Sequence, residues 1–335
     1  MNLSSATGLR KSAAEIGKGD MDVLILSEQD VMRLLDLNQL IDGLAEGFRA
    51  IANGRVQSPD RPEITVPGKG FSLSMPAWQE GMSIAVKIVN VFEANLELDL
   101  PNHLALINLF DPATGAPLCV MDGTYITGIR TAASAVLSVR ELARRDARIV
   151  TLVGAGVQGR EHLRLLPLVR DFDEIRIVSL RYEDAEKLAR LDPRAVAVQD
   201  VEAAVKTSDV VCLASHSYTP VIDAGWIRQG THVSSVGYAP PQGELPPELI
   251  SIARLFVETT EAFKAPPVGC AELAGIDPRE ATLLGDMLTG RKAGRQTADE
   301  ITVYKAMGIA MEDMVAAHIT YSQARAQKAG RIVVI

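Results

Sequence analysis

The chain has 335 residues, of which 34 are Lys or Arg and 42 are Asp or Glu, so its formal net charge is -8. A chain of this length is expected to form about two domains. Its 47 % hydrophobic and 23 % charged residues are ordinary for a globular protein and exclude a disordered one. The negative charge leaves no positive field to gather phosphate backbones, so nucleic acid is not expected as a partner.

Three features of the sequence indicate the compartment in which the protein is found. Residues 1–20 lack the apolar stretch of a signal peptide, so we expect a flexible extension there. No run approaches the roughly 18 apolar residues of a membrane-spanning helix, and no membrane contact is expected. Cys119, Cys212 and Cys270 lie far apart without Cys-x-x-Cys spacing. We expect buried free thiols and a cytoplasmic protein.

The first part of the chain, from residue 21, has the pattern of a mixed α and β unit. Residues 23–26 are strand-like, and Ser27 can cap a helix whose apolar residues recur at helical spacing up to Leu44. Residues 52–70 are rich in Gly, Pro and Asp and indicate a loop. Strands of a mixed or mostly antiparallel sheet are predicted at 71–75, 84–91, 105–110 and 117–121. A helix is then predicted from about residue 131 to residue 145.

From residue 147 onwards, buried strands alternate with helices, which is typical of a doubly wound parallel sheet of the Rossmann type. The predicted strands are 148–153, 175–180, 195–198, 210–214, 232–236 and 255–257, with helices starting near Val157, Glu183, Val201 and Leu245. A last helix is predicted from Ile301 towards Ala326. We therefore predict a Rossmann-type domain at 144–300 and a second α+β domain formed by 21–143 together with 301–335.

The sharpest motif is Gly-Ala-Gly-Val-Gln-Gly at 154–159, directly after a predicted strand and at the start of a predicted helix. In this context Gly154 permits a tight turn, Gly156 lets the backbone approach a pyrophosphate, and Gly159 packs the helix on the strand. The motif therefore predicts a dinucleotide site. The alternative is a glycine-rich turn that binds nothing.

Ser179 and Arg181 stand about 20 residues after Gly159, where the second Rossmann strand ends and the adenosine ribose is read. An NAD site usually has Asp or Glu there, whereas an arginine pairs with a 2′-phosphate. This pattern favours NADP(H) over NAD(H). Two alternatives stay open: Arg181 is a solvated residue at the head of a helix, or Glu183 or Asp184 reaches the ribose.

Three cations, Arg61, Lys87 and Arg130, precede the Rossmann unit at places that are not simply surface helix. Lys87 is bracketed by Val86 and Ile88, and strand alternation alone would turn such a lysine towards water. The alternative is a cleft in which the three cations hold a carboxylate. An arginine does so as a bidentate fork, and a desolvated lysine can also donate a proton.

Many short motifs in order along residues 21–325 resemble the ornithine cyclodeaminase/mu-crystallin family. They are MPAW at 75–78, VKIVNVF at 86–92, DPATGAPL at 111–118, MDGT at 121–124, TGIRTAA at 127–133, GAGVQ at 154–158, GR and DEITVYK at 294–295 and 299–305, Gly308, and Glu-Asp at 312–313. The resemblance implies a homodimer in which the first domain, completed by the C-terminal helix, forms the substrate site and subunit interface.

The resemblance also implies roles for particular residues. Arg61, Lys87 and Arg130 match the carboxylate-binding and catalytic cations of the family, and Thr131 matches a residue beside the cofactor. The phosphate loop is matched by Gly154, Ala155, Gly156, Val157 and Gln158.

Two departures from the family pattern bear on the reaction. Cyclodeaminases have a Glu where this chain has Leu73, and an Asp just after the glycine that corresponds to Gly237. Here Tyr238 follows, and no acid appears until Glu244. That residue could reach into the site, but we match it to the Glu that starts the next helix. Without that general base, ring closure with loss of ammonia is disfavoured.

The sequence and the resemblance together predict an NAD(P)H-dependent reductase that interconverts a small α-imino (ketimine) acid and its L-amino acid, with Lys87 as the proton donor. The alternatives are an ornithine cyclodeaminase and a non-catalytic NADP(H)-dependent ligand-binding protein of the mu-crystallin type. The five histidines show no ligand spacing, so no metal is expected.

Overall fold

The computed structural model describes residues 20–237, 239–266 and 268–335 and forms two eight-stranded sheets over those ranges. The expected flexible extension therefore lies, apart from Asp20, outside the described residues. The strands are β1 (Asp22–Leu26), β2 (Val56–Gln57), β3 (Glu63–Val66), β4 (Gly70–Gln79), β5 (Ile84–Val91), β6 (His103–Phe110), β7 (Pro117–Asp122), β8 (Ile149–Val153), β9 (Glu174–Val178), β10 (Ala195–Ala197), β11 (Val210–Leu213), β12 (His232–Ser235), β13 (Arg254–Val257), β14 (Thr282–Leu283), β15 (Thr302–Lys305) and β16 (Arg331–Val334).

The α-helices of the described residues lie between these strands and after them. They are α1 (Glu28–Leu34), α2 (Leu37–Ala52), α3 (Thr124–Leu142), α4 (Val157–Val169), α5 (Tyr182–Ala189), α6 (Val201–Lys206), α7 (Pro247–Ile252), α8 (Leu284–Leu288) and α9 (Ala310–Gln327).

The first sheet is mixed and has one face covered by helices. Its strand order is β16-β1-β7-β6-β5-β4-β2, with β3 also paired to β4. Neighbours from β4 to β7 are antiparallel, whereas β1 pairs with β7 in parallel. Helix α9 packs on β4, β5 and β6, and α2 and α3 pack on α9. The opposite face carries exposed apolar side chains, among them the cross-strand neighbours Ile88 and Leu106.

The second sheet is parallel throughout, in the order β10-β9-β8-β11-β12-β15-β13-β14. From β8 the chain winds outwards to β9 and β10, and then it returns to the other side of β8 with β11 and β12. Ligands of such sheets bind at the carboxyl ends of the strands where the winding reverses. The predicted fold class, a Rossmann-type sheet with a second α+β unit, is confirmed.

Two helix predictions differ from the structure, one in its start and one in its continuity. The helix predicted from residue 131 is α3, which begins at Thr124, where the Asp122 carboxylate accepts a hydrogen bond from the Tyr125 amide at 2.8 Å. Thr127 and Thr131 look unfavourable for a helix, but their hydroxyls donate to carbonyls four residues earlier. The single helix predicted up to Leu44 is divided into α1 and α2, because Asp36 caps a new helix start.

Other errors concern strands. The helix predicted from Ile301 begins only at Ala310, because residues 302–305 form β15 between β12 and β13 in the second sheet. A short, fully buried segment of this kind cannot be assigned by periodicity. The predicted loop at 52–70 contains β2 and β3, and β16, which was not predicted, pairs antiparallel with β1.

Candidate active site

The glycine motif forms the turn between β8 and α4 and leaves open space in front of the helix. A Cβ at Gly154, where φ is +124°, would lie 2.3 Å from the carbonyl oxygen of Ala214, and one at Gly159 would lie 2.1 Å from that of Gly154. At Gly156 a Cβ would meet nothing within 4 Å. The loop therefore offers backbone amides and free space at the N-terminus of a 13-residue helix, which fits a pyrophosphate.

Helix α3 lies directly against this loop. The Gln158 amide nitrogen donates to the carbonyl oxygen of Gly128 at 3.2 Å, and a Cβ at Gly128 would lie only 3.2 Å from Val157. Thr131, the next turn of α3, is half-buried and its hydroxyl donates to Thr127 at 2.8 Å. The contact places the helix that carries Arg130 and Thr131 beside the predicted dinucleotide site.

The predicted ribose-reading residues lie at the carboxyl end of β9. Ser179 follows the strand directly, and Arg181 precedes α5 with a side chain that is 76 % exposed. Its Nε donates to the Asp184 carboxylate at 2.7 Å. The structure thus brings both the predicted cation and one of the alternative acids to this point, and the guanidinium remains accessible.

Lys87 does not face water. On β5 it shares the helix-covered face with Ala85 and Val89, and its side chain is 1 % exposed. Its Nζ lies 2.6 Å from Oδ2 of Asp313 at the start of α9. Burial lowers the pKa of Lys87 to about 8 against the opposing effect of Asp313, and the charges of Arg130 and Arg61 act in the same direction as burial.

Arg130 reaches the same helix start from α3 and is equally buried. Its Nη1 donates to Glu312 at 2.8 Å and its Nε to Asp313 at 3.0 Å. Burial opposes the guanidinium charge, but the two carboxylates outweigh burial and raise the pKa of Arg130. Gly308 lies against the guanidinium so closely that any Cβ there would collide with it.

Arg61 joins the group from the loop before β3. Its side chain is only 7 % exposed, and Nη2 lies 3.2 Å from the Glu261 carboxylate, which follows β13 in a 3₁₀ helix at Thr260–Phe263. Lys264 and Asp60, 2.9 Å apart, form a second ion pair beside it. The loop of Arg61 is therefore attached to the unit that contains the second sheet.

The structure brings Arg61 and Arg130 within electrostatic range of Lys87, and it pairs each of the three with a carboxylate that sequence reasoning did not assign. These partners are Glu261, Asp313 and Glu312. The acidic pair at the start of α9 is visible in the sequence, but acids in a first helical turn are ordinary because they favour the helix dipole. Their contact with β5 and α3 could be seen only in the fold.

Glu258, at the end of β13, is a further buried acid in this region. It accepts hydrogen bonds from the amides of Met307 and Gly308, each at 2.9 Å. Burial and the neighbouring Glu312 raise the pKa of Glu258 well above its usual value. The charge of Arg130 acts in the opposite direction, so Glu258 belongs to the same buried cluster of charged groups.

Glu244 was matched to the start of the next helix, but α7 begins only at Pro247. Its buried carboxylate accepts from the amide and hydroxyl of Ser215 at 2.7 and 2.6 Å, and from the Ser235 hydroxyl and Gly237 amide at 2.9 and 2.7 Å. Four donors occupy both oxygens, so Glu244 joins the ends of β11 and β12 rather than offering a free base. Tyr238 lies outside the described residues.

Other predicted features have these places in the structure. Leu73 is buried on β4, so no carboxylate stands at that position. All three cysteines are free and buried. Over the described ranges, no group of three or more His, Cys, Asp or Glu side chains has metal-binding geometry, and no helix is long and apolar enough to cross a membrane.

Comparison with known proteins gives one consistent picture. The model of the ornithine cyclodeaminase/mu-crystallin family matches residues 21–328. The ketimine reductase mu-crystallin of Mus musculus is 33 % identical over 304 residues, covering 88 % of this chain and 96 % of that protein.

Two solved structures are similar over nearly the whole chain. The Thermococcus litoralis Δ1-pyrroline-2-carboxylate reductase, in complex with NADH and L-proline, is 32 % identical with a TM-score of 0.86, and the match covers 93 % of this chain and 100 % of that one. An archaeal alanine dehydrogenase dimer with bound NAD is 29 % identical with a TM-score of 0.86, covering 93 % and 99 %.

Proposed function

The chain belongs to the ornithine cyclodeaminase/mu-crystallin family, and from that premise we propose that it is an NAD(P)H-dependent reductase interconverting a small α-imino acid and its L-amino acid. Its relatives include a ketimine reductase and a pyrroline-2-carboxylate reductase. One observation supports the proposal: α3, the helix that carries Arg130, packs against the glycine loop where we propose the dinucleotide binds, and Arg130 shares the Asp313 carboxylate with Lys87.

The cations supply binding and a proton. We assign the substrate carboxylate to Arg61 and Arg130, whose guanidinium groups can hold it in bidentate fashion. When bound, the nicotinamide cofactor supplies a hydride to the imine carbon. Lys87 gives an Nζ proton to the imine nitrogen and recovers one from water. A group whose pKa lies near 8 is well matched to this work at neutral pH.

The phosphate loop of this proposal comprises Gly154, Ala155, Gly156, Val157 and Gln158, with Thr131 beside the cofactor. Gly156→Asp should abolish binding of both NADPH and NADH, because its side chain would fill the open space before α4 with a negative charge. Isothermal calorimetry measures the effect. Binding within about threefold of the parent, roughly 0.65 kcal/mol, would contradict the assignment.

For the ribose end we propose a preference for NADP(H) over NAD(H). The support is the accessible guanidinium of Arg181 next to Ser179, at the place where an NAD site usually has an acid. The two solved relatives hold NADH and NAD, and Asp184 competes for the same arginine. Measured Kd values for NADPH and NADH decide the matter.

An ornithine cyclodeaminase is the alternative within the family, and two observations weigh against it. Leu73 puts no carboxylate on β4, and the oxygens of Glu244 are occupied by four donors. The chain offers no free general base at either place for removing a proton from the amine.

We further propose that the first sheet, completed by α9, forms the substrate and dimerisation domain, and that 144–300 together with β15 forms the dinucleotide domain. A homodimer is supported by the exposed neighbours Ile88 and Leu106 and by the dimeric alanine dehydrogenase relative. Ile88→Lys with Leu106→Asp should shift the mass in light scattering from dimer to monomer. We place the enzyme in the cytoplasm, since its three buried cysteines are free thiols.

The direct test follows NADPH and NADH absorbance with pyrroline-2-carboxylate, other cyclic imino acids, and 2-oxo acids supplied with ammonia or methylamine. Proline formation from ornithine is measured separately. The proposal predicts NAD(P)H oxidation with at least one imino acid and no proline from ornithine. Cofactor binding without oxidation of NAD(P)H by any compound would favour the non-catalytic ligand-binding alternative.

A further inference from the structure

Asp313 occupies a special place among the acids near the three cations. It lies in the first turn of α9 and is 1 % exposed. One oxygen, Oδ2, lies 2.6 Å from Lys87 Nζ, and the other, Oδ1, accepts from Arg130 Nε at 3.0 Å. A single carboxylate thus joins β5 of the sheet to α3, the helix that packs on the dinucleotide loop.

We propose that Asp313 is a positioning residue of the reductase, which fixes the Lys87 ammonium beside the substrate clamp and keeps it protonated at neutral pH. This inference rests on the proposed function of Lys87 as proton donor. Over the described residues, Asp313 is the only carboxylate within 4.0 Å of Lys87 Nζ. No second acid there shares its task.

The charges around Lys87 show why a carboxylate is required. Burial disfavours the charged form of Lys87, and so do the positive charges of Arg130 on α3 and Arg61 in the loop before β3. The carboxylate of Asp313 on α9 favours the charged form against these three effects. His103 on β6 lies within electrostatic range of Lys87, but burial, and after it His216, Lys87 and Arg130, lower its pKa against the opposing effect of Glu93, so it adds little charge near neutral pH. Among the main effects on the Lys87 ammonium, that of Asp313 is the favourable one.

Glu312, the residue before Asp313, provides a matched control. It is buried on the same helix turn and binds the other nitrogen of the same guanidinium, Arg130 Nη1, at 2.8 Å. It makes no ion pair with Lys87. Both variants, Asp313→Asn and Glu312→Gln, remove one carboxylate charge from Arg130 and keep the side-chain shape, but only the first removes the partner of Lys87.

The first experiment measures kcat against pH with NADPH and pyrroline-2-carboxylate. For Asp313→Asn, the pH at which kcat falls on the alkaline side should move down by roughly one unit or more, as expected for loss of an opposite charge in contact. Glu312→Gln should shift it by less than half as much, whatever its effect on the absolute rate. Equal shifts in both variants, or none in Asp313→Asn, would overturn the proposal.

The second experiment needs no turnover. In protein labelled with ¹³C at lysine Cε, the Lys87 signal is identified by its loss in Lys87→Met and titrated in the parent and both variants, each with NADPH bound. The pKa of Lys87 should fall in Asp313→Asn, and by less than half as much in Glu312→Gln. If the parent reduces no imino acid, the proposed function fails, while this titration still decides whether Asp313 holds the proton on Lys87.

A third variant covers a failure of Asp313→Asn to fold, which circular dichroism would reveal. Asp313→Glu retains the charge, so the Lys87 titration should stay near that of the parent although the altered geometry lowers kcat. A lysine pKa that falls by roughly a unit in a folded Asp313→Glu protein would show that the charge is not the cause, and the proposal would be wrong.

Discussion

Lys87 and Lys305 are both fully buried, yet their surroundings push the charge in opposite directions. Lys305, at the end of β15, donates to the Gly237 carbonyl at 2.7 Å, to Glu272 at 2.8 Å and to the Ser235 hydroxyl at 3.1 Å. Burial opposes its charge, but Glu272 and, after it, Cys270 and Glu244 outweigh burial and raise the pKa. Burial dominates at Lys87, whose pKa falls to about 8.

The difference distinguishes a lysine with a structural role from one that can give up its proton. Lys305 uses its three donors to join β12, β15 and the 3₁₀ helix at Ala271–Leu273. Lys87 has one carboxylate beside it and two arginines within electrostatic range, so its proton is held less firmly. A depressed pKa with a specific charge partner, next to a ligand site, is typical of a catalytic group.

The variant Lys305→Met tests the structural role of Lys305, and the largest effect on stability is expected there. The substitution keeps the apolar stem but leaves Glu272 buried without its cation, so we expect unfolding in urea to show a loss of about 3 to 5 kcal/mol. Lys264→Met is the control, because Lys264 is half-exposed and pairs with the exposed Asp60; its loss should stay below about 1 kcal/mol. Similar losses in both variants would contradict a structural role for Lys305.

The pH dependence of stability sharpens the contrast. The pKa of Lys87 is lowered from 10.5 to about 8 by folding, so the unfolded chain binds more protons between these values and the parent should gain stability relative to Lys87→Met as pH rises from 8 to 10.5. The gain is about 3 kcal/mol at most. For Lys305 the sign is reversed: its contribution is complete below 10.5 and is lost above it. Urea unfolding at a series of pH values measures both effects. A difference in stability between the parent and Lys87→Met that does not change with pH would contradict the lowered pKa of Lys87.

The smallest of these effects is expected for an exposed cation. Arg181→Ala should weaken NADPH binding by about 1 to 3 kcal/mol, the range for a hydrogen bond to a charged group, and leave NADH nearly unchanged. Calorimetry with both cofactors measures the effect. Equal losses for the two cofactors, or no loss for either, would return Arg181 to a solvated residue that pairs only with Asp184.

How far the sequence predicts the molecule depends on how local each feature is. The glycine turn after β8 could be predicted because three glycines, a strand and a helix lie within one short segment. The burial of Lys87 could not be predicted, since β5 alternates like an ordinary strand. The face on which the lysine lies is covered by α9, which comes from the far end of the chain. The same applies to β15: a four-residue buried run acquires its identity from β12 and β13.

The roles of the acids in the site were not predicted, for a related reason. Asp313 and Glu312 look like ordinary residues of a helix start, and Glu244 like one before α7, until the fold brings their partners to them. The cations, in contrast, were predicted as candidates because a family resemblance supplied the long-range information that spacing lacks. Their roles in this chain remain predictions.

The proposal that Lys87 is the proton donor is tested most directly by kcat of the parent and of Lys87→Met. The rates are measured with NADPH and pyrroline-2-carboxylate from neutral pH upwards. Lys87→Met keeps the apolar stem and loses the proton, so we expect kcat to fall by about 10² to 10⁴-fold near neutral pH while NADPH still binds. The two rates should approach each other above pH 8, where the parent lysine loses its proton. A folded, cofactor-binding Lys87→Met protein that keeps the parental kcat throughout would contradict the assignment of Lys87 as the proton donor.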